Sequence, residues 1–184
     1  MARFTLALAV VSLIATSALA QHVQPYGGLQ LRAVKALSSE QVADLRAGRG
    51  MGLALAAELN GYPGPLHVIE LAAPLALTDA QRERAQALFD AMKAETVPLG
   101  EALIAAETDL DRQFAARTVT PVSLSAATDA IGAAQGRLRA AHLKYHLAML
   151  EALTPEQVRR YAELRGYATA APAGHTPGMH HRMK

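Results

Sequence analysis

The sequence predicts an all-α protein, a long antiparallel helical hairpin with short flanking helices. Its 184 residues are 51% hydrophobic but only 4% aromatic, and alanine and leucine supply most of the apolar residues, which favours closely packed helices. Two stretches, 78–116 and 120–152, carry apolar residues at helical spacing. Two similar phrases, LTDAQ at 77–81 and LTPEQ at 153–157, have the form of helix starts.

The first twenty residues, MARFTLALAVVSLIATSALA, have the features of a secretory signal peptide. Arg3 is followed by an apolar stretch and then by the small-residue triplet Ala18-Leu19-Ala20, after which cleavage is expected. The alternative is a membrane anchor, for which the apolar stretch is short. Because no second apolar span follows, we expect a soluble mature protein, exported to the periplasm and without stable membrane insertion.

Charge and cysteine content exclude several classes of function. The formal net charge is +2, Arg3 included, and no basic run suggests a nucleic-acid partner. The chain has no cysteine, so disulfides, thiolate metal sites and a lipid-modified cysteine are all excluded.

Residues 21–63 are predicted to form an N-terminal extension with short helices. Residues 21–36 lack a clear period, and a short helix is expected after Ser38 or Ser39, ending at Gly48. A second helix is expected from about Met51 to Leu59, where Asn60-Gly61 and the following prolines end it.

Residues 64–167 are predicted to form the hairpin domain. Its first segment, LHVIELAAPLA, is expected to be helical until Pro74 ends or kinks it. Two long helices follow, from Thr78 to about Ala116 through Pro98, and then from Thr120 or Ser123 to about Ala152. A last short helix should stop near Gly166-Tyr167, and residues 168–184 are predicted to be a disordered, His-rich tail.

The two LTxxQ phrases have the composition of capping boxes. In each, a threonine oxygen accepts from the backbone N–H three residues on, and the glutamine at that position reaches back. LSSEQ at 37–41 is a looser copy. The hairpin should bring the two LTxxQ phrases together as equivalent corners of one unit. Their shared residues are Leu77, Thr78 and Gln81 in the first phrase and Leu153, Thr154 and Gln157 in the second.

An exported, helical, cysteine-free chain with two LTxxQ phrases resembles the Spy/CpxP family, which includes ZraP-like and CnrX-like metal-responsive members. The resemblance covers roughly residues 64–167. It implies a curved four-helix dimer in the periplasm that acts as an ATP-independent chaperone, an envelope-stress regulator or a metal sensor. The N-terminal extension and the nearly neutral charge depart from a chaperone with a strongly basic concave face.

Histidines at helical spacing are the candidate metal ligands. His142 and His146 are one turn apart on the second long helix, with Met149 three residues on, and such a pair suits Zn, Cu, Ni or Co if a third ligand arrives. His67 and Glu70 lie one turn apart before LTDAQ. The alternative is that His142 is a core histidine and His146 a flanking one. A separate weak site is predicted in the tail, with His175, His180 and His181 as ligands.

No enzyme signature stands out, and no cofactor is required. The leading hypothesis is a chaperone that binds unfolded client proteins in an apolar groove. The alternatives are a heavy-metal sensor or metal-binding resistance protein, and a regulator that docks on the periplasmic domain of a sensor kinase. Candidate groove residues, which the same pattern equally predicts as core, are Leu88, Met92, Leu99 and Leu103.

Overall fold

The computed structural model describes residues 25–167, and every regular element within them is helical. Six α-helices follow one another after a 3₁₀ turn at Leu29–Leu31. They are α1 (Ser39–Ala47), α2 (Leu55–Glu58), α3 (Pro65–Glu70), α4 (Asp79–Ala115), α5 (Pro121–Glu151) and α6 (Pro155–Leu164). The all-α fold class is confirmed.

Helices α4 and α5 form the predicted long hairpin. Helix α4 has 37 residues and continues through Pro98, so it is about 55 Å long. Helix α5 has 31 residues and returns antiparallel to it, so that Tyr145 near its end donates a hydrogen bond to Glu95 in the first half of α4. Each of the long helices therefore spans the whole bundle.

Two of the predicted short helices are shorter than expected. The helix predicted from Met51 is wrong in its first half, because Met51 and Gly52 have φ of 44° and 81°, which a right-handed helix cannot accommodate. Helix α3 ends at Glu70, four residues before Pro74, since a proline ring clashes with the carbonyl four residues earlier.

Every helix of nine or more residues within 25–167 begins with a capping box. Ser38 and Thr120 are the caps of α1 and α5, which resolves the two alternatives that the sequence left open. Thr78 and Thr154 cap α4 and α6 as predicted, each accepting from the backbone N–H of the glutamine three residues on.

The two LTxxQ corners are joined through their glutamines. The Gln81 amide donates to Gln157 Oε1 at 2.8 Å, and the Gln157 amide donates back to Gln81 Oε1 at 3.0 Å. Each amide also donates to a main-chain carbonyl of the other corner, Gln81 to Ala152 and Gln157 to Leu75. Each glutamine thus completes the capping box of its own helix and also hydrogen-bonds to the other corner.

Two apolar clusters fill the bundle. The corner cluster lies beneath the glutamine pair and consists of Val68, Leu75, Leu77, Ala85, Leu88, Met149, Leu153 and Tyr161. The middle cluster consists of Val34, Leu45, Leu103, Ile104, Ile131, Ala134 and Leu138. Because Val34 and Leu45 belong to the middle cluster, the N-terminal extension shares the core of the hairpin. Helix α1 lies so close to α4 that a Cβ on Gly100 would stand 2.6 Å from the Leu45 carbonyl oxygen.

The predicted client-binding groove requires correction. Leu88 is buried in the corner cluster, Leu103 is buried in the middle cluster, and Leu99 packs against the latter. Met92 is also buried. Leu88 and Leu103 face the protein interior, Leu99 is partly buried and Met92 lines a pocket. Because α1, α3 and α5 pack on α4, the four side chains do not form one exposed surface for clients.

Removing one glutamine of the corner pair should destabilise the bundle. Gln81→Ala leaves the half-buried Gln157 amide without its partner, and we expect a loss of about 1–3 kcal/mol in the free energy of unfolding. The double variant Gln81→Ala/Gln157→Ala should cost less than the sum of the single changes, because both remove the same contacts. Urea denaturation measures all three.

Gln41→Ala is the matched control, since Gln41 closes the cap of α1 without bonding to another corner. Gln41→Ala should lower the free energy of unfolding by less than either single corner variant does. Equal losses at Gln41 and Gln81 would show that capping alone accounts for the effect.

Candidate functional site

One pocket of about 490 Å³ lies beside the hairpin, close to the open end of the bundle. Its walls come from the loop 48–52, helix α2, residues 64–67, helices α4 and α5, and the C-terminal residues Arg165 and Tyr167. The three predicted ligands His67, His142 and His146 line it together with Glu58, which the sequence analysis did not single out. The fold therefore brings the two helical histidines of α5 to a shared cavity.

His146 is held in one orientation. Its side chain is almost buried, with 8% of the residue exposed, and its Nδ1 lies 2.7 Å from the carbonyl oxygen of Tyr62. A carbonyl only accepts, so Nδ1 carries the proton and the neutral ring has its lone pair at Nε2. A backbone carbonyl that fixes the tautomer in this way is the usual support of a metal-binding imidazole.

His142 is the second buried imidazole. Only 2% of the residue is exposed, and its buried Nε2 has no hydrogen-bond partner. Burial, and secondarily the repulsion that a protonated His146 would exert, lower the pKa of His142 from its usual 6.5. The ring is therefore neutral at neutral pH, the form that binds metal ions.

Glu58 is a buried carboxylate that the sequence interpretation missed. Only 7% of the residue is exposed, and its Oε1 accepts a hydrogen bond from the Tyr161 hydroxyl at 2.5 Å. Arg165 Nε lies 3.3 Å from the same oxygen, within ion-pair distance but without hydrogen-bond alignment. Oε2 has no hydrogen-bond partner and lies 3.8 Å from His146 Nδ1.

Gly64 packs closely against His146 and Glu58. A Cβ at this position would stand 2.9 Å from His146 Cε1, 3.2 Å from His146 Nε2 and 3.5 Å from Glu58 Oε2. The nitrogen that carries the lone pair and the oxygen that lacks a hydrogen-bond partner therefore both lie beside Gly64. A side chain at residue 64 would collide with the His146 ring.

The other predicted ligands are placed differently. His67 lines the pocket, but its Nδ1 is 2.9 Å from Glu70 Oε2, and Glu70 is not part of the wall. Met149 is fully buried in the corner cluster, away from the pocket wall, whereas the thioether of Met92 does line it. His175, His180 and His181 lie outside the described residues.

The pocket is not a finished metal centre. Within residues 25–167, no three His, Asp or Glu side chains are grouped closely enough to hold one ion. The chemistry of the donors fits a transition-metal ion, because two histidines and a glutamate whose Oε2 lacks a hydrogen-bond partner line one cavity. Coordination would require these donors to move closer together.

Comparison with known families identifies the class of protein. A family model described as heavy-metal resistance matches residues 51–160, more than half of the chain. The protein therefore belongs to this family, whose domain is of the Spy/CpxP-like helical type. The matched region starts within the N-terminal extension and includes α2, so Glu58 lies inside it. Searches of curated proteins and of solved structures gave no match.

Among the helices of the described part of the chain, none has the length and apolar character needed to cross a membrane.

The buried His142 should make stability depend on pH. Its pKa is lowered from 6.5 in the folded state, so below about pH 6.5 the unfolded chain takes up a proton that the folded chain resists. The stability contributed by neutral His142 is present above that pH and is lost as the pH falls through the lowered folded pKa. Urea denaturation in EDTA between pH 7.5 and 5 measures the free energy of unfolding.

His142→Gln should flatten this dependence, whereas His67→Gln, which removes a partly exposed histidine, should change it less. Parallel curves for wild type and His142→Gln would contradict the assignment.

Proposed function

We propose that this protein is a periplasmic heavy-metal-binding resistance protein that takes a divalent first-row transition ion into the pocket through His142 and His146. The observation that carries the proposal is the buried Nε2 of His142, which has no hydrogen-bond partner in a residue that lines the pocket together with a second histidine of fixed tautomer. Buried polar atoms are normally paired, so an exception indicates a ligand or a functional role.

The two imidazoles favour intermediate to soft ions over magnesium or calcium. Zinc, copper, nickel and cobalt bind neutral imidazole well, whereas the hard cations prefer oxygen ligands. The Met92 thioether in the pocket wall adds a soft donor atom. This chemistry agrees with the heavy-metal resistance family to which the chain belongs.

Glu58 is an additional donor close to His146. Its Oε2 lacks a hydrogen-bond partner, is 3.8 Å from His146 Nδ1 and lies beside Gly64, as His146 Nε2 does. A carboxylate that joins two histidines supplies a common set of three protein ligands for zinc. It also contributes one negative charge toward neutralising a divalent ion in a buried place.

The proposal predicts one tight metal site per chain that depends on the α5 histidines. Titration calorimetry with zinc, cobalt and nickel should use the mature chain with His175, His180 and His181 changed to alanine, so that the tail does not compete. We expect a one-to-one site that His142→Ala/His146→Ala abolishes, because both imidazoles are removed.

His67→Ala is the matched control, since His67 lines the same pocket but already pairs with Glu70. It should retain the site. Unchanged binding in the double His142/His146 variant would reject the proposal, and binding only when the tail histidines are present would assign metal binding to the tail.

A second candidate function, binding of unfolded clients, is favoured by exposed apolar side chains at the pocket mouth. Leu55 is 53% exposed, and Met51 and Leu66 also line the pocket with large exposed fractions. Leu59, at the end of α2, is exposed as well. This surface replaces the buried stripe of α4 as the place where an apolar client segment would bind.

Client binding at this surface should depend on Leu55 and Leu66. Light scattering of an aggregating client, in EDTA and again with zinc, should show suppression that Leu55→Ser/Leu66→Ser weakens. Val122→Ser, at an even more exposed apolar residue beside the opposite turn of the hairpin, is the control and should act as wild type. No suppression by the wild type in either condition would exclude the chaperone function.

A further inference from the structure

The C-terminal helix α6 reaches the pocket through two side chains one helical turn apart. Tyr161, buried in the corner cluster, directs its hydroxyl to Glu58 Oε1. Arg165 follows the last turn of α6, and its Nε lies 3.3 Å from the same oxygen. The N–H of Gly64 also points to the Tyr161 hydroxyl, at 3.5 Å. Helix α6 therefore holds the carboxylate of α2 at the place where residue 64 lines the pocket.

We propose that Tyr161 and Arg165 are positioning residues that hold Glu58 with its Oε2 available to a metal ion, and that metal binding and the docking of α6 are thereby coupled. This inference rests on the proposed function of the pocket. It assigns α6, which supplies no ligand of its own, a role in setting the affinity of the site.

The asymmetry of the carboxylate supports this role. A buried ion pair that serves stability alone gains most when both carboxylate oxygens are satisfied. Here Tyr161 and Arg165 both approach Oε1, while Oε2 is buried without a hydrogen-bond partner, 3.8 Å from His146 Nδ1 and close to Gly64. One oxygen is fixed and the other is left for a ligand, as in carboxylates oriented by supporting hydrogen bonds at metal sites.

The coupling must be reciprocal. If the contact with α6 orients Glu58 for the ion, then the bound ion stabilises the orientation in which Glu58 accepts from Tyr161. Metal binding should therefore strengthen the docking of α6 as much as α6 strengthens metal binding. Loss of the Tyr161 hydroxyl should weaken both effects together.

Zinc affinity and hydrogen exchange of α6 test this inference in the full mature chain with the tail histidines replaced by alanine. Tyr161→Phe keeps the buried ring and removes the hydroxyl, and it should weaken zinc binding by roughly 10–100-fold at unchanged stoichiometry. In the wild type, saturating zinc should slow exchange of the α6 amides. Glu58→Gln should lose that slowing, and the visible spectrum of its cobalt complex should change because a carboxylate ligand is lost.

Tyr145→Phe is the matched control, because Tyr145 donates a similar hydrogen bond to Glu95 of α4, and neither residue lines the pocket. It should bind zinc as the wild type does. Wild-type affinity in Tyr161→Phe, or wild-type affinity and cobalt spectrum in Glu58→Gln, would overturn the inference while leaving the histidine pocket intact. Unchanged α6 exchange in the zinc-saturated wild type would overturn the coupling without any variant. Absence of zinc binding by the wild type would overturn the proposed function and this inference together.

Discussion

The buried carboxylate of Glu58 needs polar partners, and the helices at this end of the molecule are packed so as to supply them. A charge shielded from water is costly unless partners satisfy it, and here the partners come from a distant part of the sequence, Tyr161 and Arg165. Burial and this carboxylate raise the pKa of the Tyr161 hydroxyl, which keeps it protonated and able to donate. Helix α2, the Gly64 turn and helix α6 must therefore dock together, and the pocket is the space between them.

The corner glutamines supply the frame that makes this docking possible. The reciprocal amide pair between Gln81 and Gln157 fixes the start of α6 against the start of α4, which places Tyr161, less than two turns into α6, within the corner cluster. The glutamines of the two LTxxQ phrases thus have a structural role. They position the side chains of α6 that contact Glu58. His142 and His146 reach the same pocket from the adjoining end of α5.

The long helices and their caps were predictable from the sequence, because Thr78 and Thr154 signal helix starts through local hydrogen bonds and the apolar spacing reports one buried face. Glu58 was not, because its partners lie about a hundred residues away and a lone carboxylate in the run LALAAELN has no periodic signal. The apolar stripe of α4 predicted burial of Leu88 and Leu103 but could not say whether a client or the protein's own helices covered them. Met149 shared a helical face with the histidines, yet α6 and α3 enclosed it in the corner cluster.

We expect the α5 histidines, and not the tail, to hold the metal ion. A crystal structure of residues 21–184 grown with zinc, with data collected on both sides of the zinc absorption edge, is the measurement to make. We expect an anomalous peak in the pocket within bonding distance of the Nε2 atoms of His142 and His146, with Glu58 Oε2 turned toward it. A fully loaded protein whose anomalous peaks all lie away from this pocket would contradict it.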